Sequence, residues 1–337
     1  MLRLILSVPR KLVGGLFCLY ENGWSYTWYH AWEKIGRVLY LYGRESLPYR
    51  EVRRRSTNGE NDFQPSQFIN PPTPRESRVV TLFAMYNPNG RVPDATWIYM
   101  KGLRASSDEL IVCSDSAVCP DDMNRIKTIA SCGMFEQHGE YDFGSWKRAY
   151  GIAEGNGYLR NCSTLMLAND SCVGPVFPLA DMMSSMKGRK CDFWGQTSYS
   201  YHRRPHVQSY FTAFSQKIVE SGALGEFLES LGGYRSRAEV ISSCEIAMTE
   251  FLVGRGFKWD SYVPYRAVLK NPTCSPCTLL KRYACPLIKI KALMGETFEP
   301  LKDVHEAIKS INPAIYDAIC AMADDWECVS PWSGLHD

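Results

Sequence analysis

A strong charge of either sign is missing from this 337-residue chain: 38 Lys and Arg against 36 Asp and Glu leave a net +2. That balance gives no global argument for a nucleic-acid partner. Long hydrophobic runs are missing too. No stretch near the start approaches the roughly 20 apolar residues a membrane-spanning helix needs. In "MLRLILSVPRKLVGG", Pro9, Arg10 and Lys11 cut the apolar region too short for a signal peptide. No internal repeat is visible. Nor is there an orderly cysteine framework: the 13 cysteines are odd in number and scattered. Several, such as Cys113, Cys162 and Cys244, sit inside apolar patterns, where a free thiol behaves as a small hydrophobe, and a reducing compartment is expected. Cys274, Cys277 and Cys285 lie close together, but no fourth ligand has the spacing of a zinc ribbon.

What is present is enough apolar material, 45% of residues, for a large core in one domain or two. Charge is unevenly spread. Residues 1–55 hold ten Lys and Arg against four Asp and Glu, with Trp24, Trp28, Trp32 and six tyrosines. Trp28, Trp32, Ile35, Leu39 and Tyr42 fall on one stripe of an amphipathic helix. Residues 1–52 therefore read either as a helix packed on the main domain or as a basic aromatic segment lying on an anionic membrane surface. Residues 53–78 are polar, rich in proline and without period, and read as a linker.

From residue 79 the pattern alternates. Strands are expected at 79–85, 109–114, 164–168, 192–196 and 209–214. Helices are expected near 94–104, 121–131, 143–154, 178–187, 216–230 and 238–253. Strands apolar throughout and separated by helices predict an α/β domain over 79–265, a mainly parallel sheet with helices on both faces. The remainder, 266–337, reads as a C-terminal helical extension.

In such a sheet, ligands collect beyond the carboxyl ends of the strands. Three polar clusters fall there: Ser114-Asp115-Ser116, Asn169-Asp170-Ser171 and Gln208-Ser209. Each alone is what an ordinary turn uses. In "HGEYDFGSWKRAY", Asp142 stands before a helical stripe as an N-cap, and Gly139 and Gly144 let backbone approach closely. A helix start of this kind suits phosphate, and equally an ordinary capped helix. Glu245 borders the apolar face of Val240, Ile241, Cys244, Ala247, Met248, Phe251 and Leu252. Half-shielding there can raise its pKa toward that of a general base; a solvated helix glutamate is the plain alternative.

The strings "EYDFGSWKRAY", "LMLANDSCVGPVFPL", "CDFWGQT", "HVQSYFTAF" and "CEIAMTEFLVGRGF" follow one another in an order and spacing that resemble the rhamnan synthesis protein F family. "NPTCSPCTLLKRYACPLIKIKAL" resembles its closing segment, with Pro286 and Lys289, so the likeness runs over about residues 78–291. The resemblance implies a GT-A-like bacterial glycosyltransferase that builds rhamnose-containing cell-wall or surface polysaccharide from dTDP-rhamnose. It implies Asp170 as the carboxylate holding Mg²⁺ or Mn²⁺ on the donor diphosphate, with Asn169 and Ser171 in support. Glu245 is implied as the base of an inverting reaction. Asp115, Asp142 and Gly139 are implied around the donor, and Trp194, Gln208 and Tyr210 around the sugar and acceptor. Two departures stand out: Glu136-Gln137-His138 where relatives usually carry Arg-x-Asn, and Met85 where His is common. The expectation is an enzyme on the inner face of the plasma membrane, extending a lipid-linked glycan and touching no nucleic acid. The alternative is a catalytically silent relative that binds glycan or a partner synthase.

Overall fold

The computed structural model describes residues 51–54, 63–201, 204–232, 240–264, 271–323 and 326–329. The chain divides into two compact units, one of residues 54–327 and one of residues 1–53 with 328–337. The basic aromatic stripe from Trp28 to Tyr42 lies outside the described residues.

The strands, in chain order, are β1 (Glu51–Arg54), β2 (Ser66–Ile69), β3 (Arg78–Met85), β4 (Glu109–Ser114), β5 (Cys132–Phe135), β6 (Cys162–Asn169), β7 (Cys172–Val173), β8 (Phe193–Gly195), β9 (Ser198–Tyr201), β10 (Arg204–Val207), β11 (Phe211–Ser215), β12 (Trp259–Ser261), β13 (Ile288–Lys289) and β14 (Trp326–Val329). Eight of them form one sheet in the order β12-β8-β11-β6-β3-β4-β5-β2. β3, β4, β5 and β6 run parallel to one another, as do β8 and β12. β11 is antiparallel to both its neighbours, and β2 is an antiparallel edge. The sheet is mainly parallel, as the alternation of strands and helices implies.

Every expected strand is present, 109–114 with the expected ends and the others shifted by one or two residues. β2 lies inside the stretch 53–78 that the composition marks as a linker. An edge strand half open to solvent needs no apolar run, so "SQFI" carries too little hydrophobic signal to reveal itself. β5, β12 and the β9–β10 hairpin are too short to register as runs.

Covering both faces explains why the central strands are apolar throughout. On one face Val80, Leu82 and Ala84 of β3 pack with Phe143, Trp146, Ala149 and Tyr150 of the helix Tyr141–Gly155. On the other, Phe83 and Met85 pack with Tyr99, Met100 and Leu103 of the helix Asp94–Ala105. Each such fully buried side chain contributes about 1.5–3 kcal/mol. The C-terminal helices pack against the domain. Val304 and Ile308 of Leu301–Ile311, with Ile315 and Ile319 of Pro313–Met322, share a third core with Ala95 and Val173.

Candidate functional site

β3 has β4 on one side and β6 on the other, and the chain leaving β3 runs toward β4 while the chain leaving β6 runs toward β8, so the carboxyl ends of β3 and β6 form a topological switch point. That is where ligands bind in open α/β sheets. Asp170 stands at this point, one residue past the end of β6. Its backbone N–H donates to the Ala84 carbonyl at 3.1 Å, and its Oδ2 accepts from the Tyr86 N–H at 3.0 Å. Antiparallel β11 brings its own start to the same edge, where the Asn169 N–H donates to the Tyr210 carbonyl at 3.3 Å.

Asp142 reaches this edge because the helix Tyr141–Gly155 is bolted to β6. The Trp146 indole N–H donates to the Ala168 carbonyl at 3.0 Å, and Phe143 meets Trp146 edge to face. Asp142 is not the N-cap expected from the sequence. Glu140 holds that position, and Asp142 lies in the first turn, where its Oδ2 accepts from Asn169 Nδ2 at 2.7 Å.

Lys289, 118 residues beyond Ser171, completes the cluster: its ammonium donates to Ser171 Oγ at 2.6 Å and lies 4.8 Å from the centre of the Tyr210 ring. The segment carrying it is fixed on two sides. β13 pairs with β7, and the Gln196 side-chain amide donates to Leu287 O at 2.8 Å while its oxygen accepts from Leu287 N at 3.1 Å. Close approach at Gly174 permits this: its φ is +147°, and a Cβ there would stand 2.4 Å from the Pro286 carbonyl oxygen. Burial pushes the Lys289 pKa down, while Cys172, Glu245 and Asp142 push it back up.

As a set, Asn169, Asp170 and Ser171 do not fit the divalent-cation site that the resemblance implies. Asn169 Oδ1 accepts from both the N–H and the hydroxyl of Ser171, and Ser171 Oγ already receives the Lys289 ammonium. An ion on Ser171 Oγ would share that oxygen with a like charge. Among the described residues, no group of three His, Cys, Asp or Glu side chains is placed to hold a metal, and this includes the cysteines near 274–285.

Glu245 sits in a π-helical turn, Ile241–Ile246, an irregularity that often marks functional sites. Its Oε2 accepts from the Ser209 N–H at 2.9 Å and from the Ser209 hydroxyl at 2.6 Å. His206 Nε2 stands 3.5 Å from Oε1, and His206 Nδ1 lies 2.9 Å from the Arg204 carbonyl oxygen. Shielding does not raise the carboxyl pKa as expected. Burial pushes it up, but the His206 and Ser209 contacts outweigh that and hold it at about 2. Because Ser209 adjoins Tyr210, Glu245 and Lys289 share one neighbourhood.

The remaining expected residues divide differently. Asp115 Oδ1 accepts from the backbone N–H groups of His138 and Gly139, both at 2.7 Å, so it clamps the 136–140 loop to the end of β4. Gly139 supplies the left-handed turn, with φ of +72°. His138 lies between Asp115 and Ser145 and resembles a Ser-His-Asp relay. The tautomer is the wrong one: Nδ1 accepts from the Glu140 N–H at 3.1 Å, leaving Nε2 to donate to Ser145 at 2.9 Å. Trp194 is core, tilted against Phe211 at 5.7 Å. Gln208 is buried, its oxygen accepting from Thr197 at 2.9 Å. Tyr210 is buried below Lys289, its hydroxyl 2.7 Å from Thr197 Oγ1. Sequence reasoning did not assign Lys289, His206 and Gln196 to the site, although all three lie within family-like strings and Lys289 is named within its own.

Comparison with known proteins gives three findings. The family model described as rhamnan synthesis protein F matches residues 110–324. The uncharacterized protein y4gN of Sinorhizobium fredii (strain NBRC 101917 / NGR234) is 22% identical over 194 residues, 57% of this chain and 50% of that protein. The chain thus spans about half the length of the curated relative it matches. Among solved structures, a cytidylyltransferase from Leptospira borgpetersenii serovar Hardjo-bovis superposes with a TM-score of 0.32 at 15% identity, covering 71% of this chain and 97% of that one. A glycosyltransferase involved in glycosylation of the major capsid of PBCV-1 gives 0.29 at 8% identity, covering 62% and 93%.

Proposed function

Since the chain belongs to the rhamnan synthesis protein F family, we propose that it is a GT-A-like, inverting glycosyltransferase that moves rhamnose from dTDP-rhamnose onto a growing surface polysaccharide. The observation that carries this reading is a carboxylate and an ammonium, Glu245 and Lys289, gathered at the carboxyl edge of the sheet beside the β3–β6 switch point. In the reaction, the acceptor hydroxyl oxygen attacks the anomeric carbon. The bond from that carbon to the diphosphate breaks, and its electron pair leaves with the nucleotide. The hydroxyl proton passes to the Glu245 carboxylate, with the acceptor taking the place of the Ser209 hydroxyl. Asp142 and Asn169 border the donor side, and Asp115 acts on it indirectly through the loop it clamps.

The test is a screen of dTDP- and UDP-sugars with the full chain. The expected result is a raised melting temperature with dTDP-rhamnose, because a ligand that binds only the native state stabilises it, and release of nucleoside diphosphate when acceptor glycan is added. No shift and no release with any of these donors would refute the reading.

One observation favours a second reading, a silent glycan- or synthase-binding relative. A carboxylate held at about 2 is a weak base, far from the operating pH that general-base catalysis prefers. Glycan binding without any nucleotide release would select it.

The acceptor is proposed to be lipid-linked and the protein peripheral on the inner membrane face, held by the basic aromatic segment 1–52. Among the described residues, no helix is long and apolar enough to cross a membrane. Failure of the full chain to sediment with anionic vesicles at low salt would reject that location.

A further inference from the structure

We infer that the Lys289 ammonium is the positive charge that meets the donor's diphosphate, in the role the family resemblance implies for a divalent ion on Asp170. The inference rests on the nucleotide-sugar reading above and names the group that binds the leaving diphosphate.

Four observations carry it. Lys289 is a half-buried cation at the carboxyl edge of the sheet, beside the switch point where ligands collect. Its amine is fixed, held by Ser171 at 2.6 Å and seated over the Tyr210 ring at 4.8 Å. An ammonium has three N–H donors, so bonding to Ser171 leaves donors for phosphate oxygens. Its backbone is pinned by β7 on one side and Gln196 on the other, so the charge is in place before the ligand arrives. The preorganisation matters because leaving-group stabilisation works best when no group must reorient as charge develops. Lastly, the two oxygens that would support a metal on Asp170 are already engaged, Asn169 Oδ1 by Ser171 and Ser171 Oγ by Lys289 itself.

A structural alternative exists: Lys289 could simply tie β13 to Ser171. The two roles separate by ligand. A tie affects everything the site binds, whereas a phosphate contact affects only ligands that carry phosphate.

The experiment uses the full chain, wild type and Lys289→Met, with Lys289→Gln as a second variant should Met fail to fold by circular dichroism. Calorimetric titration with dTDP and with UDP is run in EDTA and in Mn²⁺. Thymidine and uridine are followed by ligand-observed NMR. The expected result is nucleoside-diphosphate binding by wild type in EDTA, weakened about 10- to 100-fold by the folded variant, the range of a charge-assisted hydrogen bond. Nucleoside binding should be unchanged. Equal loss for nucleoside and nucleoside diphosphate would overturn the inference in favour of the tie. So would an unaltered diphosphate affinity, or wild-type binding that requires Mn²⁺. If wild type binds neither diphosphate in either condition and releases none from any nucleotide sugar, the nucleotide-sugar reading itself falls, and the inference with it.

Discussion

Lys289 and Glu245 lie within electrostatic reach of each other, yet the two regions that present them are built on opposite plans. Around Lys289 the backbone does the fixing. A strand pair, a buried amide and a glycine approach hold the segment, and only the last hydrogen bond belongs to the ammonium. Around Glu245 it is the carboxylate itself that is held, by a backbone N–H, a hydroxyl and an imidazole. The carboxylate sits on an irregular helical turn and is held by Ser209 and His206 from another part of the chain. The difference teaches that two charges near each other can be fixed in different ways, the cation by the ladder of the fold and the carboxylate by groups from a distant stretch of chain.

The largest expected effect breaks the comparison on the Glu245 side. Glu245→Gln keeps the size and can still accept from Ser209, but it cannot take a proton. Turnover should fall about 100- to 10,000-fold, the usual range for a general base, while dTDP affinity stays near wild type. Release of nucleoside diphosphate and calorimetric binding, measured on the same preparation, give both numbers. Near-normal turnover would reduce Glu245 to a helix-to-strand tie.

Next in size is a pH effect that sharpens the same side. Glu245 titrates at about 2 in the fold against an ordinary 4.5. Its contribution is therefore complete above about pH 4.5 and is lost as pH falls toward 2. It amounts to about 3 kcal/mol. Urea midpoints of wild type and Glu245→Gln should differ most at pH 6, lie roughly half as far apart at pH 3 and converge only toward pH 2. A gap that stays constant between pH 6 and pH 3 would mean that the carboxylate's ionisation contributes no stability.

The smallest effect tests the Lys289 side through the backbone. Gly174→Ala would place a Cβ against the Pro286 carbonyl oxygen. Stability should drop by about 1–3 kcal/mol, as for other overpacked sites, and diphosphate affinity should drop with it because the ladder under Lys289 shifts. If stability falls but diphosphate affinity does not, the ladder does not position the cation.

Read from the sequence, the strands at 79–85, 109–114 and 164–168 were plain because a strand covered on both faces must be apolar at every position. The Asn169-Asp170-Ser171 cluster was plain because polar turn residues end an apolar run abruptly. The role of that cluster was not. Whether Asp170 reaches for an ion or stitches β3 to β6 depends on the Tyr86 N–H, which no local pattern places there. Trp194 had the composition of a sugar platform and became core, since alternate residues of one short strand face opposite ways and only packing decides which face is filled.

By itself, then, the sequence determined the order of strands and helices, the mainly parallel sheet they form, the family string and the polar clusters at the strand ends. Each of these is written in residues near one another along the chain, where periodicity and turn chemistry act. Only the tertiary structure decided which charges meet. Lys289 comes to Ser171 from 118 residues away, Ser209 comes to Glu245 from 36, and the Glu245 carboxyl is held down where half-burial alone would have raised it. The physical reason is that a side chain's charge state and partners follow from distances in space. Those distances were fixed by sheet order, by the close approach at Gly174 and by the packing of the C-terminal helices against the domain.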